Sequence, residues 1–219
     1  MERSVSTNKL IVTYVAQRAR LQALLPLSMA IAAVAWTGVG LSAFLLPEFV
    51  ATVAQALVLV LAFRIWDDIE DRAYDAAQHP DRVLASSNRI APFVVLAVVL
   101  AAAGMIPAVL NARFAVEIAI INIAIIVLIA WYHQRASDGP SLANAHVVLL
   151  KYPLIAFALA PLRPRTPAIV ALYLALCAFE VFDDPALRAS TRARKLAVAE
   201  AFVGAFALAV GILYGGRLS

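Results

Sequence analysis

Nine of the fourteen acidic residues lie in two short stretches of this 219-residue chain. In the first stretch, Asp68, Asp71 and Asp75 stand at i, i+3 and i+7, which places them on one face of a helix. In the second stretch, Glu180 and Asp184 stand at i and i+4 and also share a helix face. Carboxylates are hard oxygen ligands, and Mg²⁺ binds one or two of them together with waters and phosphate oxygens. The spacing therefore predicts a Mg²⁺ site that receives a phosphorylated substrate.

The chemistry that suits these two stretches is the metal-assisted departure of diphosphate from a prenyl donor. Metal ions and nearby cations neutralise the leaving group, while an apolar cavity holds the allylic cation. An isoprenoid tail is itself a membrane solute, which explains why such an enzyme is expected to be a helical bundle in lipid. The plainer interpretation is that charged residues end helices in the headgroup region, and one DxxxD pattern alone is weak support for a site. Two such stretches favour the metal site.

Several basic residues are candidates for neutralising the diphosphate. Lys151 falls inside a predicted span, where a lysine is costly and usually has a partner, so it either binds diphosphate or forms a structural ion pair. Arg72 and Arg82 flank the first acidic stretch and either contact diphosphate oxygens or pair with the neighbouring acids. The remaining candidate substrate-binding residues are Arg135, Asp67, Asp183 and Tyr74.

The elements that must position these residues follow from the composition. Apolar residues make up 63% of the chain, charged residues only 15%, and the mean hydropathy is +0.87, which all but excludes a water-soluble globular protein. A spanning helix needs ~20 mostly apolar residues. The chain is therefore expected to be one domain over residues 1–219, an all-α integral-membrane helical bundle. Its seven predicted spans are 21–46, 48–66, 89–110, 114–133, 141–161, 167–183 and 196–214.

The basic residues between these spans predict the orientation. With a cytoplasmic N-terminus, 13 of the 18 Lys and Arg residues fall on the cytoplasmic side, four fall on the other side, and Lys151 is intramembrane. This asymmetry satisfies the positive-inside rule. Both acidic stretches then lie on the cytoplasmic side, and so does the predicted active site. We interpret the net charge of +4 as loop bias in a multi-pass protein and not as nucleic-acid binding. The single cysteine excludes an intrachain disulfide and any multi-cysteine metal site.

The acidic stretches resemble the motifs of the UbiA superfamily of intramembrane prenyltransferases. Asp67-Asp68-x-x-Asp71-x-x-x-Asp75 is similar to the first Asp-rich motif of that family, NDxxDxxxD, with Asp67 where Asn is usual. Residues 79–90 resemble the segment that follows it, and Glu180-x-x-x-Asp184 looks like the second motif, DxxxD. The resemblance implies a transferase in which the two motifs hold Mg²⁺ and the prenyl diphosphate. The implied metal ligands are Asp68, Asp71, Asp75, Glu180 and Asp184. Arg135 is either the counterpart of a basic residue that the family carries near the end of its fourth helix or a plain positive-inside loop residue.

Two departures from the family keep alternatives open. Family members usually have nine spans, so a homo-oligomer contact or membrane lipid is expected to complete the wall of the cavity. Asp67-Asp68-x-x-Asp71 also matches DDxxD, the motif of class I terpene cyclases. The cation is then either transferred to an acceptor or cyclised without one. A non-enzyme alternative is a membrane transporter or ion-binding protein that uses the same acids.

Overall fold

The computed structural model describes residues 6–18, 20–39, 41–110, 124, 127–128, 130–131, 141–162 and 165–215. Within these residues the chain forms α-helices and two short 3₁₀ turns, with no strand. The helices are α1 Thr7–Arg18, α2 Leu21–Ala35, α3 Leu46–Glu70, α4 Arg72–Gln78, α5 Val83–Ser86, α6 Ala91–Leu110, α7 Leu142–Leu149, α8 Lys151–Ala158, α9 Thr166–Asp183, α10 Pro185–Ala189 and α11 Thr191–Gly215.

Three of the described helical segments are long and apolar enough to cross a membrane. They are Leu21–Gly38, Leu46–Glu70 and Thr166–Asp183, and shorter apolar helices cover Ala91–Ile106 and Leu142–Ala158. Large apolar side chains are exposed along α11, where Phe202 is 73% exposed. Such a surface is unfavourable in water and suits lipid. The predicted all-α membrane protein is thus supported at this coarse level.

The helix ends agree with most of the predicted segments, and two differences have local causes. The segment predicted at 21–46 stops as an α-helix at Ala35, and two 3₁₀ turns follow it. The segment predicted at 141–161 is interrupted at Leu150. Pro153 has no N–H to donate to the carbonyl four residues earlier, so the helical hydrogen bonding cannot run unbroken through this point. Most of the predicted span 114–133 lies outside the described residues.

Helix α3 is the central element for the site. It packs against α2 on one side and α6 on another, and α9 packs against α11. One buried apolar cluster joins Ile31 of α2, Leu59 of α3, Ala156 of α8 and Leu172 of α9. Because α2 and α8 each contact both α3 and α9, they hold the two acid-bearing helices in one bundle.

Helices α3 and α6 approach closely at Gly104. A Cβ atom built on Gly104 would lie 2.5 Å from Leu59 Cγ, which is too close for any real contact. The missing side chain therefore lets Leu59 fill the space between the helices. In a second apolar cluster, Tyr14 of α1 packs against Ile65 of α3 and Phe93 of α6.

Candidate functional site

Asp68 is the most firmly held carboxylate of the first acidic stretch. It lies near the end of α3, is only 4% exposed, and is met by two side chains from α1. Tyr14 donates its hydroxyl to Oδ2 over 2.7 Å, and Arg18 donates from Nε to the same oxygen over 2.9 Å. Arg18 also donates from Nη2 to Oδ1, which makes the pair bidentate. Both oxygens of Asp68 are therefore engaged by protein donors.

Helix α1 precedes the first candidate span, and its two donors, Tyr14 and Arg18, hold their protons more firmly than usual. The hydrogen bond to Asp68 raises the pKa of the Arg18 guanidinium above its ordinary value. Burial, followed by the negative charge of Asp68, raises the pKa of the Tyr14 hydroxyl well above its ordinary value. Arg64, one turn before Asp68, adds a third contact at 3.7 Å from Nε to Oδ1. Asp68 thus lies in a cationic pocket that favours its charged form.

Asp75 is also buried and bound to an arginine. It lies on α4 and pairs with Arg82, which directly precedes α5. Arg72 points to the same connection and donates from Nε to the Leu84 carbonyl over 3.0 Å. Of the two interpretations of these arginines, pairing with a neighbouring acid is therefore present for Arg82, while Arg72 binds the backbone of the adjoining helix.

Asp67 pairs with Lys151. Lys151, the first residue of α8, is 2% exposed and donates a hydrogen bond from Nζ to Asp67 Oδ2. Its Nζ also lies 5.3 Å from the ring centroid of Tyr152 and 5.9 Å from that of Phe63. The structural ion pair considered for Lys151 is present, and the aromatic faces further stabilise the buried charge.

The second acidic stretch reaches the same charges through Glu180. Its half-buried carboxylate lies within electrostatic range of Lys151 and Arg64. No described residue donates a hydrogen bond to the Glu180 side chain. Asp184 instead caps α10, with Oδ1 accepting from the backbone N–H of Ala186 over 2.7 Å and of Leu187 over 3.3 Å. Its neighbour Asp183 is exposed.

An apolar pocket lies on the other side of Lys151. It lies between α3, α6 and α8 and is partly open to the surface. Its apolar walls include Leu59, Phe63, Met105 and Ile155. Lys151 is the only charged residue among the described residues that line it. The alkyl part of Lys151 thus lines the pocket, while its ammonium group pairs with Asp67.

The remaining predicted residues occupy different positions. Asp71 is half-buried at the junction of α3 and α4, where its N–H donates to the Asp67 carbonyl over 2.9 Å. The Asp75 N–H donates in turn to the Asp71 carbonyl over 2.8 Å, so the helical hydrogen bonding continues across the junction. Tyr74 is 51% exposed. Arg135 lies outside the described residues.

Sequence reasoning missed Tyr14, Arg18 and Arg64 as members of this region. Arg64 carried a usable signal, because it precedes Asp68 by one helical turn. Tyr14 and Arg18 also stand one turn apart, yet their partner lies fifty residues further along the chain. No spacing within α1 indicates that partner, since the contact depends on how α1 packs over α3 and α6.

Comparison of the chain with protein-family models, with curated proteins and with solved structures found no match. The chemistry of the site is therefore given by its charges and shape. Cations from α1, α3 and α8 surround carboxylates at one end of an apolar helix bundle, beside an apolar pocket. This combination suits a ligand with an anionic head and an apolar tail.

Proposed function

We propose that the protein is a UbiA-like intramembrane prenyltransferase that ionises a prenyl diphosphate and transfers the prenyl group to an acceptor. The observation that carries the proposal is Lys151, buried between the acidic end of α3 and the apolar pocket. In this arrangement the diphosphate lies toward Lys151 and Arg64, and the isoprenoid chain extends into the pocket. The proposal includes the seven-span bundle with a cytoplasmic N-terminus and a cytoplasmic active site, its wall completed by lipid or a second copy.

The carboxylates fit Mg²⁺ by their chemistry, since they are hard oxygen ligands near the expected phosphate. The carboxylate oxygens that already accept hydrogen bonds from protein donors reduce the predicted set of metal ligands. Asp68 has both oxygens committed, whereas Asp75 and Asp184 each have one oxygen bound to a protein donor and a second one left for a metal. We therefore assign the metal to Asp71, Asp75, Glu180 and Asp184, with Asp68 holding α1 in place. Bound Mg²⁺ neutralises the charge that develops on the departing diphosphate.

The other side chains supply position and charge. In the proposed reaction the C–O bond of the prenyl diphosphate breaks, its electron pair leaves with diphosphate, and an allylic cation remains. Lys151 and Arg64 offset the charge of the leaving group, and the rings of Phe63 and Tyr152 provide electron-rich faces near the same point. The apolar walls of the pocket exclude water, which would otherwise capture the cation. The nucleophilic atom of the acceptor then bonds to the cation and loses a proton.

The test is diphosphate release by the full-length protein in lipid nanodiscs. Geranyl, farnesyl and geranylgeranyl diphosphates are supplied with Mg²⁺, with and without aromatic acceptors, and released diphosphate is measured. We expect Mg²⁺-dependent release that falls on the order of 100-fold in Asp71→Asn and Glu180→Gln. Asp81→Asn is the matched control, because Asp81 is an exposed acid of the same stretch. Absence of release from all three donors, or equal rates in Asp71→Asn and the wild type, contradicts the proposal.

The cyclase alternative is resolved by the products of the same reaction. If the enzyme is a transferase, release depends on an acceptor and a prenylated acceptor accumulates. If it is a class I cyclase, the donor and Mg²⁺ alone yield a hydrocarbon or a terpene alcohol, detected by mass spectrometry. The DDxxD pattern of Asp67, Asp68 and Asp71 is compatible with a transferase and with a cyclase, so only the products distinguish the two.

The buried pair of Asp67 and Lys151 favours one second candidate, a proton- or ion-coupled transporter. Paired ionisable residues inside membrane bundles often mark ion pathways. Proteoliposomes loaded with a pH-sensitive dye test it. Proton flux that is lost in Asp67→Asn, without any diphosphate release in the assay above, would favour transport.

A further inference from the structure

A second cluster of chemically active side chains lies apart from the Asp67, Asp68 and Asp75 ion pairs. It consists of His146 on α7, Cys177 on α9 and Glu200 on α11. One potential ligand atom from each residue lies within 4.8 Å of the other two. Cys177 is buried, and Glu200 is 7% exposed. Three helices thus bring an imidazole, a thiol and a carboxylate to one point.

The hydrogen bonds of His146 fix which ring nitrogen carries the proton. Its Nδ1 lies 2.7 Å from the Leu142 carbonyl oxygen, and because a carbonyl only accepts, Nδ1 is the donor. In the neutral ring Nε2 is then an acceptor, yet it is in direct contact with Glu200 Oε1, which also accepts. Two acceptors in contact require an electropositive atom between them. With the two atoms 2.5 Å apart that atom is a proton, and a metal ion would displace it to solvent while the two ligand atoms move apart to bonding positions.

The rest of the cluster indicates that a metal ion can take the place of that proton. Glu200 Oε2 is buried and has no hydrogen-bond partner among the described residues. A proton on His146 would satisfy the contact with Oε1 and leave Oε2 unsatisfied, which is costly in an apolar bundle. A metal ion takes the imidazole nitrogen, the carboxylate and the sulfur together. The bond from Nδ1 to a backbone carbonyl is also the outer contact that metal-binding histidines usually make.

We propose that His146, Cys177 and Glu200 form a binding site for a divalent transition metal of the Zn²⁺ type. Nitrogen, sulfur and carboxylate ligands match Zn²⁺ and not Mg²⁺, which prefers oxygen alone. On binding, the Cys177 thiol loses its proton to solvent and the thiolate bonds to the metal. The three protein ligands leave a fourth position for water or a small ligand. The proposal does not depend on the prenyltransferase activity, because it uses none of the residues assigned to it.

The site connects parts of the bundle that share few other polar contacts. Helix α9 packs against both α7 and α11, and the metal would tie all three together. Tyr173, one turn before Cys177, donates its hydroxyl to the His146 carbonyl over 3.1 Å and so fixes α7 against α9. We therefore expect metal binding to raise the thermal stability of the protein as well as to occupy the cluster.

The first measurement uses the wild-type protein, since Cys177 is its only cysteine. The full chain is purified in detergent with its affinity tag removed, and the metal content is measured after dialysis against Zn²⁺ and against a chelator. We expect close to one equivalent of Zn²⁺ per chain. Reaction of Cys177 with methyl methanethiosulfonate should be slowed by Zn²⁺ and restored by chelation. This readout needs no variant, so it stands even where a substitution prevents folding.

Substitutions then assign the ligands. Co²⁺ replaces Zn²⁺ as a spectroscopic probe, and its thiolate charge-transfer band should disappear in Cys177→Ser while the ligand-field bands weaken. Cys177→Ser and Glu200→Gln should each lower the affinity for Zn²⁺ by about tenfold or more. His79→Gln, at an exposed histidine outside the cluster, should bind Zn²⁺ like the wild type.

Three outcomes overturn the proposal. The first is a wild-type protein that holds no Zn²⁺ after dialysis. The second is Zn²⁺ that leaves the rate of reaction between Cys177 and methyl methanethiosulfonate unchanged, which would place the metal elsewhere. The third is full Zn²⁺ affinity in Glu200→Gln together with normal folding, which would mean that a proton fills the contact between His146 and Glu200.

Discussion

Arg18 of α1 forms a bidentate ion pair with Asp68 at the end of α3, fifty residues later in the chain. With 12 residues, α1 is too short to span a membrane. The ion pair attaches it to the end of α3 and so closes one end of the bundle. Tyr14, one turn earlier, reaches the same carboxylate and packs its ring edge-on against Phe93 of α6. A polar anchor and an aromatic contact therefore hold α1 across the ends of two helices.

Removing the guanidinium of Arg18 should destabilise the folded protein. Arg18→Met leaves the carboxylate of Asp68 buried with weaker compensation, and we expect a loss of about 3 kcal/mol in the free energy of unfolding. Thermal unfolding in detergent measures the change. The control is Arg20→Met, since Arg20 is exposed. The double variant Arg18→Met, Asp68→Asn should recover part of the loss. Equal stability of the Arg18 and Arg20 variants would disprove the role of this pair.

The hydrogen bond from Tyr14 should give the protein a defined alkaline pH dependence. Because burial raises the pKa of the Tyr14 hydroxyl in the folded state, the folded chain keeps this proton where the unfolded chain loses it. The stabilisation by this hydroxyl is therefore fully present below pH 10.0, the ordinary pKa of tyrosine, and declines as the pH rises further. Tyr14→Phe should cost about 1 kcal/mol at neutral pH.

The measurement is the difference in unfolding midpoint between the wild type and Tyr14→Phe at several pH values. The difference should narrow above pH 10.0. Tyr74→Phe is the control, because Tyr74 is exposed and its loss should leave the midpoint unchanged at every pH. If the difference in unfolding midpoint stays constant above pH 10.0, then folding does not raise the pKa of the Tyr14 hydroxyl.

Lys151 allows the structural role of a residue to be separated from the proposed catalytic one. Lys151→Met leaves the Asp67 carboxylate without its buried partner, so both stability and diphosphate release should fall. Adding Asp67→Asn removes the uncompensated charge and should restore most of the stability. Diphosphate release should stay on the order of 100-fold below the wild type, because the cation near the leaving group is still missing.

The matched control for these variants is Lys195→Met, at an exposed lysine of α11. Its rate and unfolding midpoint should equal those of the wild type. If the double variant at Asp67 and Lys151 recovers activity along with stability, then Lys151 serves only to neutralise Asp67.

Gly104 should tolerate no side chain while Leu59 is present. Gly104→Ala places a Cβ 2.5 Å from Leu59 Cγ, so the helices α3 and α6 must separate or Leu59 must leave its place. We expect a loss of about 2 kcal/mol. The neighbouring exposed position gives the control, Ala103→Val. Leu59→Ala combined with Gly104→Ala should be more stable than the sum of the two single changes predicts.

The apolar pattern of the sequence predicted most helix extents well. The helices α3, α6, α9 and α11 fall on predicted segments, because long apolar runs have one stable form in lipid. The break at Leu150, close to Pro153, was not anticipated. A single proline allows either a kink or an interruption, and the packing of neighbouring helices decides between them.

The candidate site was predictable only where its members are close in sequence. Spacing placed Asp68 and Asp71 at one helix end, and the high cost of a buried lysine indicated that Lys151 has a partner. The identity of that partner, Asp67, depends on how α8 packs against α3 and is not encoded in any local pattern. The cluster of His146, Cys177 and Glu200 has the same origin, since each residue comes from a different helix.

The distance in sequence between Asp67 and Lys151 has a consequence for how the chain is made. Asp67 leaves the ribosome 84 residues before Lys151, so during synthesis its carboxylate has no ammonium group to meet. A carboxylate near the end of an apolar helix favours water, and we expect the nascent α3 to sit displaced toward the aqueous face until α8 arrives. A chain that stalls before residue 151 would then expose this segment to quality-control proteases.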